Sequence, residues 1–240
     1  MTINTLHHTR ELPTDLKNIL DGEEEKLLNI ASDKPTSYNF GSIEEHVGKF
    51  DDEEYIPEYF FDVKQRFENR VPWKDDSRYV SGMRPECSWS FDYWPNLKST
   101  GKYHNKEDYE YFMNFRIKLN KLLGTWENAL ACYYPPGGFI CWHNNSDTHG
   151  PNYLMTWSET GEGFFDVMKT KKDGTYQKVR IKDNPGWQLK AMYFGNEKDS
   201  ICWHAAATNC KRISIAFTTN PLIQEDVIED MKELDSYSTF

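Results

Sequence analysis

The spacing of apolar and polar positions divides the chain into a helical first part and a strand-rich second part. Between residues 11 and 30, apolar side chains recur at Leu16, Ile19, Leu20, Leu27, Leu28 and Ile30, the period of a helix with one buried face. Gly22 and the glutamates 23–25 interrupt the pattern, so the stretch predicts one broken helix or two short ones. Residues 32–53 are polar and read as loop. Pro57 opens a segment, 58–70, with apolar spacing at Tyr59, Phe60, Val63 and Phe67, a helix with proline near its start. Residues 78–94 change to strand character, with Cys87, Trp89 and Phe91 alternating with polar positions. A helix returns over 106–123, carried by Tyr109, Phe112, Phe115, Ile117, Leu119 and Leu122, and Gly124 is a good stop.

From Asn128 onward the pattern predicts short strands at 129–134, 139–142, 153–157, 164–168, 176–181, 188–194, 201–204 and 213–218. Lys171-Lys172-Asp173-Gly174 is a hairpin turn signal, because Asp-Gly tolerates positive φ. So many short strands with turns between them describe a sandwich or barrel. Pro221 precedes a last helical stretch, 223–234. The expectation is an α+β protein with N-terminal helical additions: a helical and loop region over 1–75, packed on a β domain over 76–240.

Composition alters this picture at two points. Hydrophobic residues are only 38% and mean hydropathy is −0.79, but the chain holds 8 Trp, 14 Tyr and 14 Phe. Aromatic rings bury large areas each, so a core is affordable. The net charge of −10 opposes a broad phosphate-backbone footprint, so nucleic acid is not the favoured partner. Lys169, Lys171, Lys172, Lys178, Arg180 and Lys182 cluster and read as a solvated hairpin. Five cysteines, an odd number without a CxxC pair, fit buried free thiols in a reducing compartment. No apolar run reaches membrane-spanning length, and the first residues lack a signal-peptide core. These features lead to an expected cytoplasmic location.

The chemistry-bearing residues lie in the strand-rich part. Tyr133-Tyr134-Pro135-Pro136-Gly137-Gly138 is a turn that leads into a strand ending in His143. Later, Cys202-Trp203-His204 again ends an apolar stretch in a histidine, and Arg212-Ile213-Ser214 opens a buried strand. A buried arginine is costly unless it meets an anion. Beside two histidines of metal-ligand type, it suggests a bound carboxylate held in fork geometry.

In these motifs the stretch 128–220 resembles the Fe(II)/2-oxoglutarate-dependent oxygenase superfamily. The resemblance implies a double-stranded β-helix, or jelly-roll, core. It implies Fe(II) and 2-oxoglutarate as cofactors and O2 as co-substrate, with no catalytic side chain beyond the metal centre. His143 and His204 take the places of the metal-binding histidines. Arg212 and Ser214 take those of the pair that binds the distal carboxylate of 2-oxoglutarate, with Tyr133 or Tyr134 assisting. The departure is at the third ligand, where Asn145 stands in place of the usual Asp or Glu. Asn145 can ligate through its amide oxygen or leave the position to water. Asp147 can replace the carboxylate if the loop folds back. The site can also lack a carboxylate, as in the related halogenases, whose Gly or Ala there is smaller than Asn. A non-catalytic oxygenase fold used for binding, and a cupin-like metal enzyme, are the rival classes. His149, in a Thr-His-Gly turn, reads as exposed.

The resemblance says less about substrate. Alkylation-repair demethylases of nucleic acids share the Trp-His opening and the Arg-Ile-Ser strand. Their second arginine is replaced here by Phe217, Thr218 and Thr219. Prolyl hydroxylase-like enzymes, which act on peptides, share the Tyr-x-Pro-Gly-Gly lead-in. The expected substrate is a small molecule or a protein side chain, with Tyr153 and Trp157 at the pocket mouth. Trp89, Phe91, Tyr93 and Trp94 read as an extra strand, with a wall of the substrate site as the alternative, and the Gly-rich loop 158–163 as a candidate lid.

Overall fold

The computed structural model describes residues 6–9, 12–31, 41–69, 86–91, 106–145, 149–171, 173–195 and 201–237. The helices are α1 (Thr14–Leu20), α2 (Glu23–Ala31), α3 (Ile43–His46), α4 (Glu58–Glu68), α5 (Lys106–Leu123) and α6 (Gln224–Tyr237). The first strands are β1 (Leu6–Thr9), β2 (Glu86–Cys87), β3 (Trp89–Ser90), β4 (Thr125–Tyr134), β5 (Phe139–His143) and β6 (Gly150–Ser158). They are followed by β7 (Gly163–Thr170), β8 (Tyr176–Lys182), β9 (Gly186–Phe194), β10 (Trp203–Thr208) and β11 (Arg212–Thr219). One sheet has the order β1-β9-β6-β11-β4-β3 and the other β2-β5-β10-β7-β8, with every pairing antiparallel.

Strand alternation sorts the apolar residues into three cores. On β11, Ile213, Ile215 and Phe217 pack under α1, α2 and α5, against Leu16, Leu20, Leu27, Phe112, Phe115 and Leu119. Ala216, from the other face of β11, joins Cys132, Tyr134, Leu154, Phe165, Val167, Met192, Phe194 and Ala206 between the two sheets. The outer face of the second sheet packs Phe139, Trp142, Phe164 and Trp203 against Val47 and against Tyr59, Phe60 and Val63 of α4. The result is a β-sandwich with helices on both outer faces, and its central layer is where a site can sit.

Local sequence accounts for most boundaries. Gly22 has φ +73° and separates α1 from α2, so the interrupted N-terminal pattern is two short helices. Pro57 caps α4 and Gly124, at φ +64°, ends α5. Gly174, at φ +82°, turns the β7–β8 hairpin as Asp-Gly predicts. Trp89 and Phe91 lie in the core beneath the helices, and β3 pairs with β4 as the extra strand expected there. Tyr93 and Trp94 lie outside the described residues, as do residues 1–5 and 32–40.

Three expectations need correction. The basic run does not form a solvated hairpin throughout, because Lys178 and Arg180 point under the loop after α3. Arg180 makes two bonds to Asp166, at 2.9 and 2.8 Å, and donates to the Lys49 carbonyl at 2.6 Å. Lys178 donates to the Tyr55 carbonyl at 2.5 Å. The strand expected to end at His204 instead begins at Trp203 and continues through Ala205–Ala207. Alanine is a poor strand former, but small side chains fit between β5 and β7, where the sheet is covered on both faces. The polar loop 32–53 contains a one-turn helix, α3, capped by the Ser42 hydroxyl, which accepts from the Glu45 N–H at 3.2 Å. All five cysteines are free thiols, four of them buried. No helix among the described residues is long and apolar enough to cross a membrane.

Candidate metal and anion site

His143 and His204 meet across neighbouring strands because of a bulge. Ala207 pairs with Phe139 and Ala206 with Ile140, yet His204 pairs with His143 rather than with Trp142. One extra residue on β5 is thus accommodated opposite β10. Its effect is visible in the side chains. Cys141 and Trp142, although adjacent, both belong to the outer core, while Ile140 and His143 line the interior cavity. Strict alternation from Ile140 would have turned Trp142 inward and His143 outward. The Trp142 indole is held outside by donating to the Val47 carbonyl at 2.8 Å.

The turn before β5 sets the start of this register. Gly137 donates to the Thr208 carbonyl at 2.9 Å, and Thr208 donates back to the Gly138 carbonyl at 3.0 Å. Gly137 has φ +79°. A Cβ on Gly138 would stand 2.6 Å from the Pro135 carbonyl oxygen and 2.9 Å from that of Cys87. The Pro-Pro-Gly-Gly signal therefore reflects a turn that only glycine can make without displacing backbone.

The two imidazole centroids are 4.1 Å apart. Each Nδ1 is bonded to the carbonyl two residues earlier, Cys141 at 2.7 Å and Cys202 at 2.8 Å. A carbonyl can only accept, so both Nδ1 atoms carry hydrogen and both Nε2 atoms carry the donor lone pair a metal needs. Phe165 and Phe194 both stack on the His204 ring, with centroids at 5.4 and 5.1 Å, and restrain its plane. Asn145, two residues past His143, lines the same cavity. Asp147 lies outside the described residues. His149 is exposed, as expected.

The cavity has a volume of about 50 Å3 and is walled by Leu130, Ile140, Leu154, Met192, Ala206 and Ala216. It is far smaller than a drug-sized ligand pocket. A wider surface groove, about 620 Å3, runs between residues 42–51 and the turn at Gly137 and Phe139, and neither histidine lines it.

Arg212 and Ser214 lie on the cavity wall, and Arg212 is 1% exposed. The sequence suggests a bound carboxylate as the partner of this arginine, whereas the fold supplies an acid of its own. Asp183, in the β8–β9 connection, accepts from Arg212 Nε at 2.7 Å, and Ser214 accepts from Nη1 at 2.5 Å. Nη2 is buried with no partner among the described residues. The other oxygen of Asp183 accepts from Gln188 at 3.1 Å and from the fully buried Lys190 ammonium at 3.3 Å. A Cβ at Gly163 would stand 2.6 Å from this carboxylate, so glycine there makes room for it. Burial alone would raise the Asp183 pKa, but Arg212 and Lys190 beside it hold it below the usual carboxylate range. Burial, opposed by Asp183 and reinforced by Arg212, brings Lys190 down to about 8.

Of the tyrosines, Tyr134 lines the cavity, with the Arg212 guanidinium 5.4 Å from its ring centre. Tyr133, one residue away, faces the helical layer beside its cross-strand partner Trp89. Tyr153 and Trp157, expected at the pocket mouth, also pack on the helical layer, while Leu154 between them faces the cavity. Both placements follow from the period of two on β4 and β6. Asp183 and Lys190 were not foreseen. Asp183 sits in an Asp-Asn-Pro-Gly run that reads as a turn, and Lys190 sits in a strand where lysine normally marks a solvent face. The alternation of Lys190 with Met192 and Phe194 was the available signal.

No family model matches the chain, and no curated protein matches it. Two solved structures resemble it loosely. One is a Pseudomonas putida prolyl-4-hydroxylase, at 14% identity and TM-score 0.33, covering 70% of this chain and 91% of that one. The other is a Trichoplax adhaerens prolyl hydroxylase in complex with a hypoxia inducible factor oxygen degradation domain peptide fragment. It has 11% identity and TM-score 0.34, covering 91% of this chain and 97% of that one. The likeness is too loose to carry a functional argument, which rests on the side chains.

Proposed function

We propose that this protein is a non-haem Fe(II)- and 2-oxoglutarate-dependent oxygenase on a jelly-roll core, hydroxylating a small molecule or a protein side chain. The observation that carries the reading is the convergence on one cavity of two Nδ1-tethered histidines and an arginine with a buried, partnerless Nη2. The strand order supports it, since consecutive strands from β4 to β11 are divided between the two sheets in interleaved fashion.

The donor set fits a divalent first-row metal. Imidazole nitrogens suit iron, and two histidines with one oxygen donor leave positions open for further ligands. His143 and His204 would hold the ion through Nε2, with the Asn145 amide oxygen as the third donor on the cavity wall. Among the described residues no group of three His, Cys, Asp or Glu side chains assembles. The ion would then keep one more positive charge than in a site with a carboxylate. When bound, iron with 2-oxoglutarate supplies the O2-dependent oxidation. The chain supplies orientation and dryness. Arg212, Ser214 and Tyr134 would hold the far carboxylate, the apolar wall excludes water, and the phenylalanines beside His204 keep its ring in one plane.

The alternative is an oxygenase fold that binds without catalysis, and Asn145 in place of a carboxylate is the observation favouring it. Anaerobic titration of the protein with Fe(II) and 2-oxoglutarate separates the two through the weak visible charge-transfer band of the chelate. A band lost in His143→Ala and His204→Ala supports the oxygenase reading. Loss in Asn145→Ala or in Asp147→Ala identifies the third ligand. Absence of both the band and retained iron in the wild type would leave a binding protein.

A further inference from the structure

Asp183 cancels the charge of Arg212, so the arginine alone offers an incoming anion no net attraction. The cluster is nevertheless cationic, because Lys190 brings a second positive charge to the same carboxylate. All three side chains are at most 1% exposed. One negative and two positive groups leave an excess of one positive charge in the protein interior. Such an excess is costly unless an anion joins it.

The hydrogen-bond inventory points the same way. The Lys190 ammonium has three N–H groups and, among the described residues, one acceptor, Asp183 Oδ1 at 3.3 Å. Arg212 Nη2 has none. Thr156 Oγ1, buried opposite Ser214 across the β6–β11 pair, also has none. Of these groups Arg212 Nη2 lies on the cavity wall itself, and Thr156 and Lys190 sit behind it on β6 and β9, paired with Ser214 and with the cavity-lining Leu154.

We propose that Lys190 supplies the charge that makes this subsite bind a carboxylate, with Asp183 as the positioning residue that fixes Arg212 while Lys190 offsets its neutralising effect. The ligand is the far carboxylate of 2-oxoglutarate, an identity that rests on the oxygenase reading. Lys190 acts from behind the wall, through the field of the cluster and its hold on Asp183.

The test is calorimetric titration of the full chain, loaded with Mn(II) under argon, with 2-oxoglutarate. The variants are Lys190→Met, Arg212→Met and the double variant Asp183→Asn/Lys190→Met, each checked for a cooperative melt. Lys190→Met is expected to weaken binding ~30-fold or more, the lower end of what removing one partner of a buried, hydrogen-bonded charge pair costs. The double variant restores a net single positive charge and is expected to recover most of that loss. A structural role for Lys190 would give no recovery. Binding by Lys190→Met at wild-type affinity, or a double variant no better than the single, overturns the proposal. In that case loss of binding in Arg212→Met would leave the oxygenase reading standing. A wild type that binds no 2-oxoglutarate removes both.

Discussion

Replacing Lys190 by methionine is expected to stabilise the protein at neutral pH. The ammonium is fully buried with one acceptor at 3.3 Å, and its pKa falls from the ordinary 10.5 to about 8. At 1.36 kcal/mol per pH unit, holding the proton in the folded state at pH 7 costs ~3 kcal/mol. The sign follows from proton counts. Between pH 8 and 10.5 the unfolded chain holds a proton that the folded chain has released, so wild-type stability rises across that window. Below pH 8 the cost is present in full. Methionine keeps an unbranched side chain of similar reach and removes the charge, but it also removes the bond to Asp183. The net gain should be roughly 1–3 kcal/mol at pH 7, or about 2–4 °C in Tm for each kcal/mol in a chain of this size. Urea unfolding followed by tryptophan fluorescence, from pH 7 to 10.5, measures it. The gain should fade towards pH 10. A destabilised Lys190→Met at pH 7, or a difference independent of pH, would refute the reasoning. A stabilised variant that binds 2-oxoglutarate poorly would show stability given up for charge at a binding site.

Other substitutions test the scaffold. Asp166→Asn leaves Arg180 and Lys178 without their shared carboxylate and should cost ~3–5 kcal/mol in urea unfolding; a loss under 1 kcal/mol would contradict the buried cluster. Phe60→Ala empties a fully buried position whose ring meets Trp142, Tyr176 and Trp203 edge-on. A loss of ~3–5 kcal/mol is expected, with a weakened near-ultraviolet dichroism signal. Gly138→Ala forces a Cβ to 2.6 Å from a carbonyl oxygen, so it should weaken both stability and metal uptake at His143. Gly137→Ala, at φ +79° with open space around it, should cost only ~1 kcal/mol; equal effects from the two alanines would argue against the turn geometry.

The two buried ion clusters occupy different layers and do different work. Asp166, Lys178 and Arg180 lie on the outer face of β7 and β8, where Arg180 and Lys178 also bond carbonyls at Lys49, Phe50 and Tyr55. That cluster fastens the loop after α3 to the sheet. Asp183, Lys190 and Arg212 lie between the sheets, and a guanidinium nitrogen there remains without a partner. The first cluster is completed by backbone carbonyls, whereas in the second Arg212 Nη2 has no partner among the described residues.

The sequence by itself determined most of the elements, because short-range chemistry defines them. The apolar period of α5, the Gly22 break, the Pro57 start and the Asp173-Gly174 turn all act within a few residues of chain. It also nominated His143, His204, Arg212 and Ser214, since residue type and order along the strands are visible without coordinates. Tertiary structure alone decided which face each strand turns inward. A one-residue bulge at Cys141–Trp142 reverses the parity of β5 and brings His143 opposite His204, and alternation sends Tyr133, Tyr153 and Trp157 to the helical layer. It also decided the charge of the site. Asp183, Lys190 and Arg212 come from separate stretches of chain, and no local pattern predicts that one buried carboxylate will meet two buried cations, because that meeting depends on which strands the fold lays side by side.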